Sequence, residues 1–396
     1  MPFIMAATLI DMMSIGIIIP VLPALVGEFA GSQADQAFWF GAVTFAFGLA
    51  NFVASPVLGA LSDQHGRRPV LLIGFCGLAF SFLMQAMATA LWMLVAVRVV
   101  SGAMQSNMSV SNAYVADITP PEQRARRFGM LGAMFGLGFI LGPALGGMLG
   151  SIDLRLPFVV AGGLALVNLA YGWFVLPESL PPERRRAFSW RAANPVAALR
   201  GLAQLKGAGL LVAVIACAGL AQFVLYTSWV LYTTFKFGWG PRENGWSLAA
   251  VGVMMALVQG VLLGRLLRRF SPRRLAVMGL ASSTLAFLAW GAASAGWMMF
   301  AVIALNLLAS TVAPSIQSII SGAADARSQG GALGAVAGLN SLMSVVAPLI
   351  SAPILESVSH LPRGDWRIGA PMFFCAALQA MALVLAVLHF RKKAQH

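Results

Sequence analysis

Two charged side chains stand inside long apolar stretches of the chain, and their chemistry predicts a proton switch. Asp11 lies in the first apolar stretch and Arg98 in the fourth. Removal from water favours the neutral carboxyl of an aspartic acid, whereas a nearby guanidinium favours the carboxylate. Protonation of Asp11 would therefore release Arg98, and ionisation would hold it. A charge is costly in such surroundings, so it marks a partner or a pathway by default.

A direct contact between Asp11 and Arg98 depends on the long arginine side chain, because helical rise puts the two residues in opposite halves of neighbouring spans. Two structural explanations compete with the functional one. Asp11 could instead be a water-exposed residue near one mouth, and Arg98 could attach the fourth span to carbonyls of the first.

Helical spacing also predicts a polar face on the fourth span that looks toward a cavity, formed by Arg98, Gly102, Gln105, Ser109 and Asn112.

A second charged cluster lies in the polar stretch from Gly59 to Pro69, between the second and third apolar runs. Gly59 and Gly66 allow a sharp reversal of the chain, and Pro69 suits the first turn of a helix. The sequence predicts a short hinge between two spans here. Asp63 and Arg67 within it either belong to a gate or form an ordinary solvated charge run that fixes topology.

Small residues and a proline mark one face of the fifth apolar run: Gly138, Gly142, Pro143, Gly146 and Gly147. Glycines let a neighbouring helix approach closely, and a proline frees a backbone carbonyl and kinks a helix. The stretch therefore indicates tight helix packing, a seal against leakage with a bend needed for transport, or both.

Composition excludes most other classes of protein. The chain has 396 residues, of which 59% are hydrophobic and 10% charged, with a mean hydropathy of +0.83. A soluble domain has about 25% charged residues, so the sequence predicts an all-α polytopic membrane protein. The net charge of +13 reflects basic residues in short connections rather than nucleic-acid binding. No nucleophile and base set or metal-ligand cluster is apparent in the spans, so neither an enzyme nor a metal or cofactor site is expected.

Apolar runs long enough to cross a bilayer predict twelve transmembrane helices, beginning near Phe3, Ala37, Val70, Leu91, Phe128, Leu156, Ala208, Trp246, Leu275, Trp297, Gly331 and Pro371. Of the 26 lysines and arginines, the connections on one predicted side hold only Arg155, Lys236, Arg242, Arg363 and Arg367. Basic residues accumulate in cytoplasmic loops, so both termini are expected in the cytoplasm.

An internal repeat predicts two halves. The stretch that starts at Gly129 recurs at Gly331, an offset of 331 − 129 = 202, and Trp92 matches Trp297 at an offset of 205. The stretch after Gly264 is a second copy of the Gly59 loop that keeps arginines and lacks the aspartate. We predict two pseudo-symmetric six-helix bundles, residues 1–176 and 207–396, joined by a cytoplasmic linker, residues 177–206.

These motifs together resemble the drug:proton antiporters of the major facilitator superfamily, and the chain is similar to the tetracycline-efflux family over nearly its full length. The Gly59 to Pro69 stretch matches the loop between spans two and three. Arg98 and Gly102 followed by Asp117 match the fourth-span pattern, and the glycines from Gly138 match the fifth-span antiporter signature.

The resemblance implies roles for the loop residues. In the family the loop aspartate meets the start of the eleventh span, near Gln329 to Gly331 here, where unpaired N–H groups favour an anion. It also implies that Arg67 pairs with Asp117. Such contacts form a cytoplasmic gate that favours the outward-open state.

Polar residues within apolar runs are candidates for the substrate pocket, although any one of them could serve only as an interhelical hydrogen bond. They are Gln105, Asn112, Gln222, Tyr226, Trp229, Gln259, Asn306, Gln317 and Asn340. Tetracycline pumps also have Gln at the position of Gln259. Their acidic residues in the third and ninth spans and their histidine in the eighth are replaced by Ser81, Ser283 and Met255, so a compound other than tetracycline is equally expected.

The expected function is proton-coupled export of a small amphiphilic compound, a drug or a secreted metabolite, across a bacterial inner membrane. The expected partners are that compound, protons and the bilayer, with no nucleic acid, and the protein is expected to act as a monomer. An importer or uniporter of a metabolite, or a sensor on the same scaffold, remains the alternative.

Overall fold

The computed structural model describes residues 1–105, 107–190, 194, 209–323 and 329–392, and every regular element in this part of the chain is a helix. Helices of the first half are α1 (Pro2–Ile18), α2 (Leu22–Phe29), α3 (Gln33–His65), α4 (Arg67–Ala86), α5 (Leu91–Met104), α6 (Asn107–Asp117), α7 (Pro121–Gly150) and α8 (Leu156–Phe174). Those of the second half are α9 (Gly209–Phe237), α10 (Pro241–Leu257), α11 (Leu263–Arg269), α12 (Pro272–Ala292), α13 (Gly296–Leu305), α14 (Val312–Ala323), α15 (Gln329–Val358) and α16 (Ala370–Lys392). The all-helical prediction is confirmed for the described residues.

Ten helical segments in the described part of the chain are long and apolar enough to cross a membrane. An eleventh is formed if α13 and the helical segment after it, bent by 47°, count as one span. The predicted fourth span is present as two shorter helices, α5 and α6, because Gln105 adopts an extended conformation at the end of α5. The count of twelve stays a prediction.

One compact unit comprises Met1–Ser32, Ala42–Asn194 and Gly240–Gly252. Within it α1 packs along α7 and α8, and α4 packs along α8. Its core contains buried apolar side chains from five helices, among them Ile4, Leu71, Phe75, Tyr114 and Leu131. This packing holds α1, which carries Asp11, in place.

The glycines of α7 set how close α1 lies. A Cβ atom on Gly138 would stand 2.6 Å from Cβ of Met12, and one on Gly142 would stand 2.7 Å from Cα of Gly16. Neither position has room for a side chain, so the two backbones are in direct contact. The predicted close approach of a neighbouring helix is confirmed, and that helix is α1.

The second unit comprises Gln33–Gly41, Pro195–Trp239 and Val253–His396. Here α9 packs on α15 and α16, and α12 packs on α16. Side chains from α9 cap the end of α12: the Tyr232 hydroxyl donates to Trp290 O, and Lys236 Nζ donates to Gly291 O at 2.6 Å. The last carbonyls of a helix have no partner within it, so these two side chains join α9 to α12.

Candidate functional site

Asp11 is held by an amide rather than by a cation. It is 3% exposed, and its Oδ1 accepts a hydrogen bond of 2.9 Å from Nδ2 of Asn107, the first residue of α6. Gly74 of α4 lies against the same amide, since a Cβ there would stand 2.7 Å from Cγ of Asn107. The absence of a side chain at Gly74 therefore makes room for Asn107 beside the carboxyl.

The interruption of the fourth span lies beside this pair. Gln105 has φ −92° and ψ 103°, so α5 ends and its last carbonyls lose their helical partners. The Asn51 amide of α3 donates to two of them, Gly102 O at 3.4 Å and Gln105 O. A buried polar group without a partner is costly, so Asn51 stabilises the interruption.

Arg98 is not paired with Asp11. Its guanidinium carbon lies 5.2 Å from the ring centroid of Phe47, and its Nε has no hydrogen-bond partner among the described residues. In this structure Asp11 is paired with Asn107 and Arg98 lies against an aromatic face, and the predicted switch between Asp11 and Arg98 stays a prediction.

The predicted polar face of the fourth span also needs correction. It assumed one continuous helix from Arg98 to Asn112, whereas the helix is interrupted after Gln105. The helical phase is not carried across the interruption, so Asn112 cannot be placed on the face of Arg98 by counting residues. Asn107 was missed for the same reason, because it falls off the uninterrupted spacing.

Arg67 is the centre of the charged cluster between α3 and α4. It is 9% exposed, and its guanidinium donates to Asp117 Oδ2 at 3.0 Å, to Asp63 Oδ1 at 2.5 Å and to Ser62 Oγ at 2.7 Å. The pair of Arg67 with Asp117 is present as the resemblance implied. The expected contact of Asp63 with the start of the eleventh span involves side chains outside the described residues and stays a prediction.

The predicted hinge is shorter than its motif. Helix α3 continues through Gly59 to His65, and a side chain at Gly59 would meet nothing within 4 Å. Only Gly66 lies between the two helices, with φ +105°, a conformation that favours glycine. The reversal therefore takes place at one residue, and Pro69 falls in the first turn of α4 as predicted.

Glu178, which sequence reasoning missed, caps α4. Its Oε1 accepts from Arg67 N at 2.8 Å and its Oε2 from Arg68 N at 3.2 Å, so the carboxyl group sits at the positive end of the helix. A Cβ on Gly66 would stand 2.7 Å from Cδ of Glu178. Gly66 is thus required both for its φ angle and for this contact.

The segment that comes after Glu178 in the chain contacts the same charged cluster. Ser179 Oγ donates to Asp117 Oδ2 at 3.3 Å, and Arg186 N donates to Asp63 O at 3.0 Å. Tyr114 donates its hydroxyl to Pro177 O at 2.8 Å. The first part of the predicted linker is therefore attached to the residues expected to form the gate.

The remaining residues of the fifth-span signature are packed. A Cβ on Gly147 would stand 2.6 Å from Pro241 O and 2.9 Å from Cα of Gly245, so α7 and the start of α10 are in contact within the first unit. A Cβ on Gly146 would collide with Ile17 O. Helix α7 continues through Pro143 without a break in its helical assignment.

The candidate substrate residues fall in different surroundings. Trp229 is 4% exposed, and its ring meets Trp290 edge-on at 5.2 Å, which favours packing over substrate contact. Tyr226 is 52% exposed and is hydrogen-bonded to Gln222 one turn away. Gln317 is exposed, and Asn340 is half-buried beside Gly219.

Gln259 and Asn306 lie on irregular backbone. Gln259 is exposed within a π-helical segment, Val258–Leu262, which packs against the 3₁₀ segment Leu307–Thr311. Asn306 directly precedes that 3₁₀ segment and accepts a hydrogen bond of 2.9 Å from Ser282. π-helical segments are frequent at functional sites, so these two residues have the best structural case in the second half.

The comparisons agree with this fold. The profile described as Major Facilitator Superfamily matches residues 4–348 and, in a second match, residues 211–396. The chain belongs to the Major Facilitator Superfamily, and it is therefore a multi-pass membrane transporter and not an enzyme.

Its relatives within the superfamily include tetracycline resistance proteins. The class C protein of Escherichia coli is 35% identical and the class D protein of Salmonella ordonez 37% identical, each over 322 residues, which are 81% of both chains. The crystal structure of the human organic anion transporter MFSD10 covers 97% of this chain and is itself covered to 98%, with a TM-score of 0.72 and 24% identity, which shows the fold alone. The predicted resemblance to the tetracycline-efflux family is confirmed.

Proposed function

We propose that the protein exports a small amphiphilic compound in exchange for protons by alternating access. The observation that carries this proposal is the buried Asp11 carboxyl held by Asn107 next to the interrupted fourth span. Intramembrane acidic groups mark proton pathways, and discontinuous helices line binding sites in transporters. A change of protonation at Asp11 would therefore act at the interruption of the fourth span.

The side-chain amide of Asn107 can hydrogen-bond to Asp11 in either protonation state of the carboxyl. Its Nδ2 donates to the Asp11 carboxylate, while its Oδ1 is buried and has no other partner among the described residues. A protonated Asp11 could donate its O–H to that oxygen. One amide can therefore satisfy both forms of the carboxyl, which a guanidinium cannot do because it has no acceptor. The role of Arg98 is then to supply fixed positive charge on the same span.

The two-bundle architecture of twelve spans is part of the same proposal. The fourth and tenth predicted spans are interrupted at Gln105 and Asn306, 306 − 105 = 201 positions apart, close to the sequence repeat. Gly74 and Gly279 abut the residues that follow these interruptions and stand 279 − 74 = 205 apart. Duplicated interruptions at equivalent positions support two halves of related fold, residues 1–176 and 207–396.

The cluster around Arg67 is proposed as the cytoplasmic gate. Arg67, Asp63 and Asp117 join the ends of three helices, and Glu178 fixes the first turn of α4. The cytoplasmic side could open only if these ion pairs break or if the whole cluster moves together.

Susceptibility of cells tests the function. Cells that express the protein should tolerate a higher dose of tetracycline, or of an amphiphilic dye such as ethidium, than cells with Asp11→Asn. Exposed Asp153→Asn serves as the matched control and should behave as the wild type. Resistance that survives Asp11→Asn removes Asp11 as the coupling site, and accumulation of the compound in place of exclusion identifies an importer.

A further inference from the structure

We propose that a groove between α12 and α16 binds an anionic phospholipid of the inner leaflet. The groove has a volume of about 480 Å³. Its walls are almost wholly apolar and are formed by Val277 and Met278 from α12 and by Val387 and Phe390 from α16. Such walls suit the first carbons of an acyl chain and exclude a ligand that is polar throughout.

Three arginines surround this apolar groove: Arg273, Arg274 and Arg391. All three are exposed, and in the described part of the chain none of them lies within ion-pair distance of a carboxylate. The guanidinium of Arg273 lies 6.0 Å from the ring centroid of Phe390, which sets it at the wall of the groove. Apolar walls with unpaired cations at the rim fit an amphiphile with an anionic head, and basic pockets between spans are known to take such lipids.

The duplicated loop places Arg273 in a stretch that has no carboxylate equivalent to Asp63. With Gly59 aligned to Gly264, an offset of 205, Arg68 corresponds to Arg273 and Asp63 to Arg268. In the first half Arg67, the residue before Arg68, forms ion pairs with Asp63 and Asp117. In the second copy Arg268 replaces the aspartate, so this loop supplies no carboxylate of its own to pair with Arg273.

The position along the spans favours a lipid over a soluble anion. Helices α12 and α16 both belong to segments long enough to cross the membrane, and the groove lies where α12 begins and α16 ends. This assignment rests on the proposed topology, which places both ends on the cytoplasmic face. A phosphate head there would meet the arginines while its acyl chains follow the apolar walls.

Lipid retention by the purified full-length protein tests the inference. The protein is reconstituted in mixed vesicles of phosphatidylethanolamine and phosphatidylglycerol, extracted in mild detergent, and its bound lipid is measured by mass spectrometry. Wild type should retain phosphatidylglycerol in preference to phosphatidylethanolamine. The variant Arg273→Gln/Arg274→Gln/Arg391→Gln should lose retention more than tenfold, since each basic residue near anionic lipid contributes about 1 kcal/mol, or roughly fivefold.

A charge-matched control separates a site from diffuse attraction. Arg265→Gln/Arg268→Gln/Arg269→Gln removes three exposed arginines that do not line the groove, and it should retain phosphatidylglycerol within about twofold of wild type. Val387→Trp or Met278→Trp fills the groove without a change of charge and should lower retention as the arginine variant does. Size-exclusion chromatography checks that each variant is folded.

Three results would overturn the inference: equal retention of both lipids by wild type, equal loss in the two arginine variants, or full retention in both tryptophan variants. The measurement does not depend on transport. A failure of the export proposal therefore leaves this test intact, and a failure here leaves the roles of Asp11 and the gate untouched.

Discussion

At the scale of single residues, the amide of Asn107 and the carboxylate of Glu178 hold groups on which the two charged clusters depend. Asn107 contacts Asp11, and Glu178 holds the first turn of the helix that presents Arg67. Each side chain is hydrogen-bonded to another polar group away from bulk water, where a donor or acceptor without a partner costs about 1–3 kcal/mol. Removal of either side chain should therefore destabilise the protein more than removal of an exposed charge.

Asn107→Leu should lower the rate of export at least tenfold, because a hydrogen bond to a charged group contributes about 1.5–3 kcal/mol. Asn107→Thr keeps a donor and an acceptor and should retain more activity. Initial rates in everted vesicles, with the compound that wild type is found to export, measure the difference. Equal rates in the two variants would mean that Asn107 only fills space.

Glu178→Ala should destabilise the first turn of α4 by about 1–2 kcal/mol, the usual effect of losing a helix cap with a favourable charge. Glu178→Gln keeps one acceptor and should be intermediate. Exposed Glu183→Ala provides the control. Hydrogen exchange at the amides of Arg67, Arg68 and Val70 reports the effect directly, and unchanged protection in Glu178→Ala would contradict the capping role.

At the scale of elements, close backbone contact is what joins the helices of the first unit. Helix α7 meets α1 at Gly138, Gly142 and Gly146, and it meets α10 at Gly147. Small residues at helix contacts are the usual means of association in a membrane, where apolar side chains gain little from leaving lipid. The position of Asp11 therefore depends on residues that have no side chain.

Gly142→Ala should lower the thermal stability of the purified protein, because the new methyl group would stand 2.7 Å from Cα of Gly16 and the two helices would have to separate. Gly136→Ala on the same helix is a matched control, since a Cβ there meets nothing within 4 Å, and it should be neutral or slightly stabilising. Scanning fluorimetry gives both melting temperatures, and equal shifts would exclude steric contact as the cause.

The elements also show what could be predicted. The length of the apolar runs and the spacing of glycines were sufficient for most of the helices and for the close packing of α7, because both depend on residues near one another in sequence. The Arg67–Asp117 pair followed from the family resemblance. The capping of α4 by Glu178 joins residues 111 positions apart, and the interruption at Gln105 is stabilised by Asn51 from another helix. No local pattern contains either contact.

At the scale of the whole molecule, charge distribution and duplication define the proposed topology. Basic residues are concentrated in alternate connections, and the interruptions near Gln105 and Asn306 repeat at almost half the chain length. The fourth span decides the count, since it is formed by α5 and α6 only if the two helices together cross the bilayer.

Reporter fusions measure that crossing. A fluorescent protein fused after Thr119, just past α6, should be fluorescent because this connection is expected in the cytoplasm. Alkaline phosphatase fused after Ser151, past α7, should be active because that side is expected outside. An active phosphatase fused after Thr119 would show that α5 and α6 do not cross, and the twelve-span arrangement would have to be abandoned.

The attachment of the segment from Pro177 to Arg186 limits how the connection between the halves can be engineered. Because Arg186 N bonds to Asp63 O and Ser179 bonds to Asp117, an insertion before Arg186 would pull on the charged cluster as well as lengthen the tether. A protease site or a fluorescent reporter for following the two halves separately should therefore not be placed between Pro177 and Arg186.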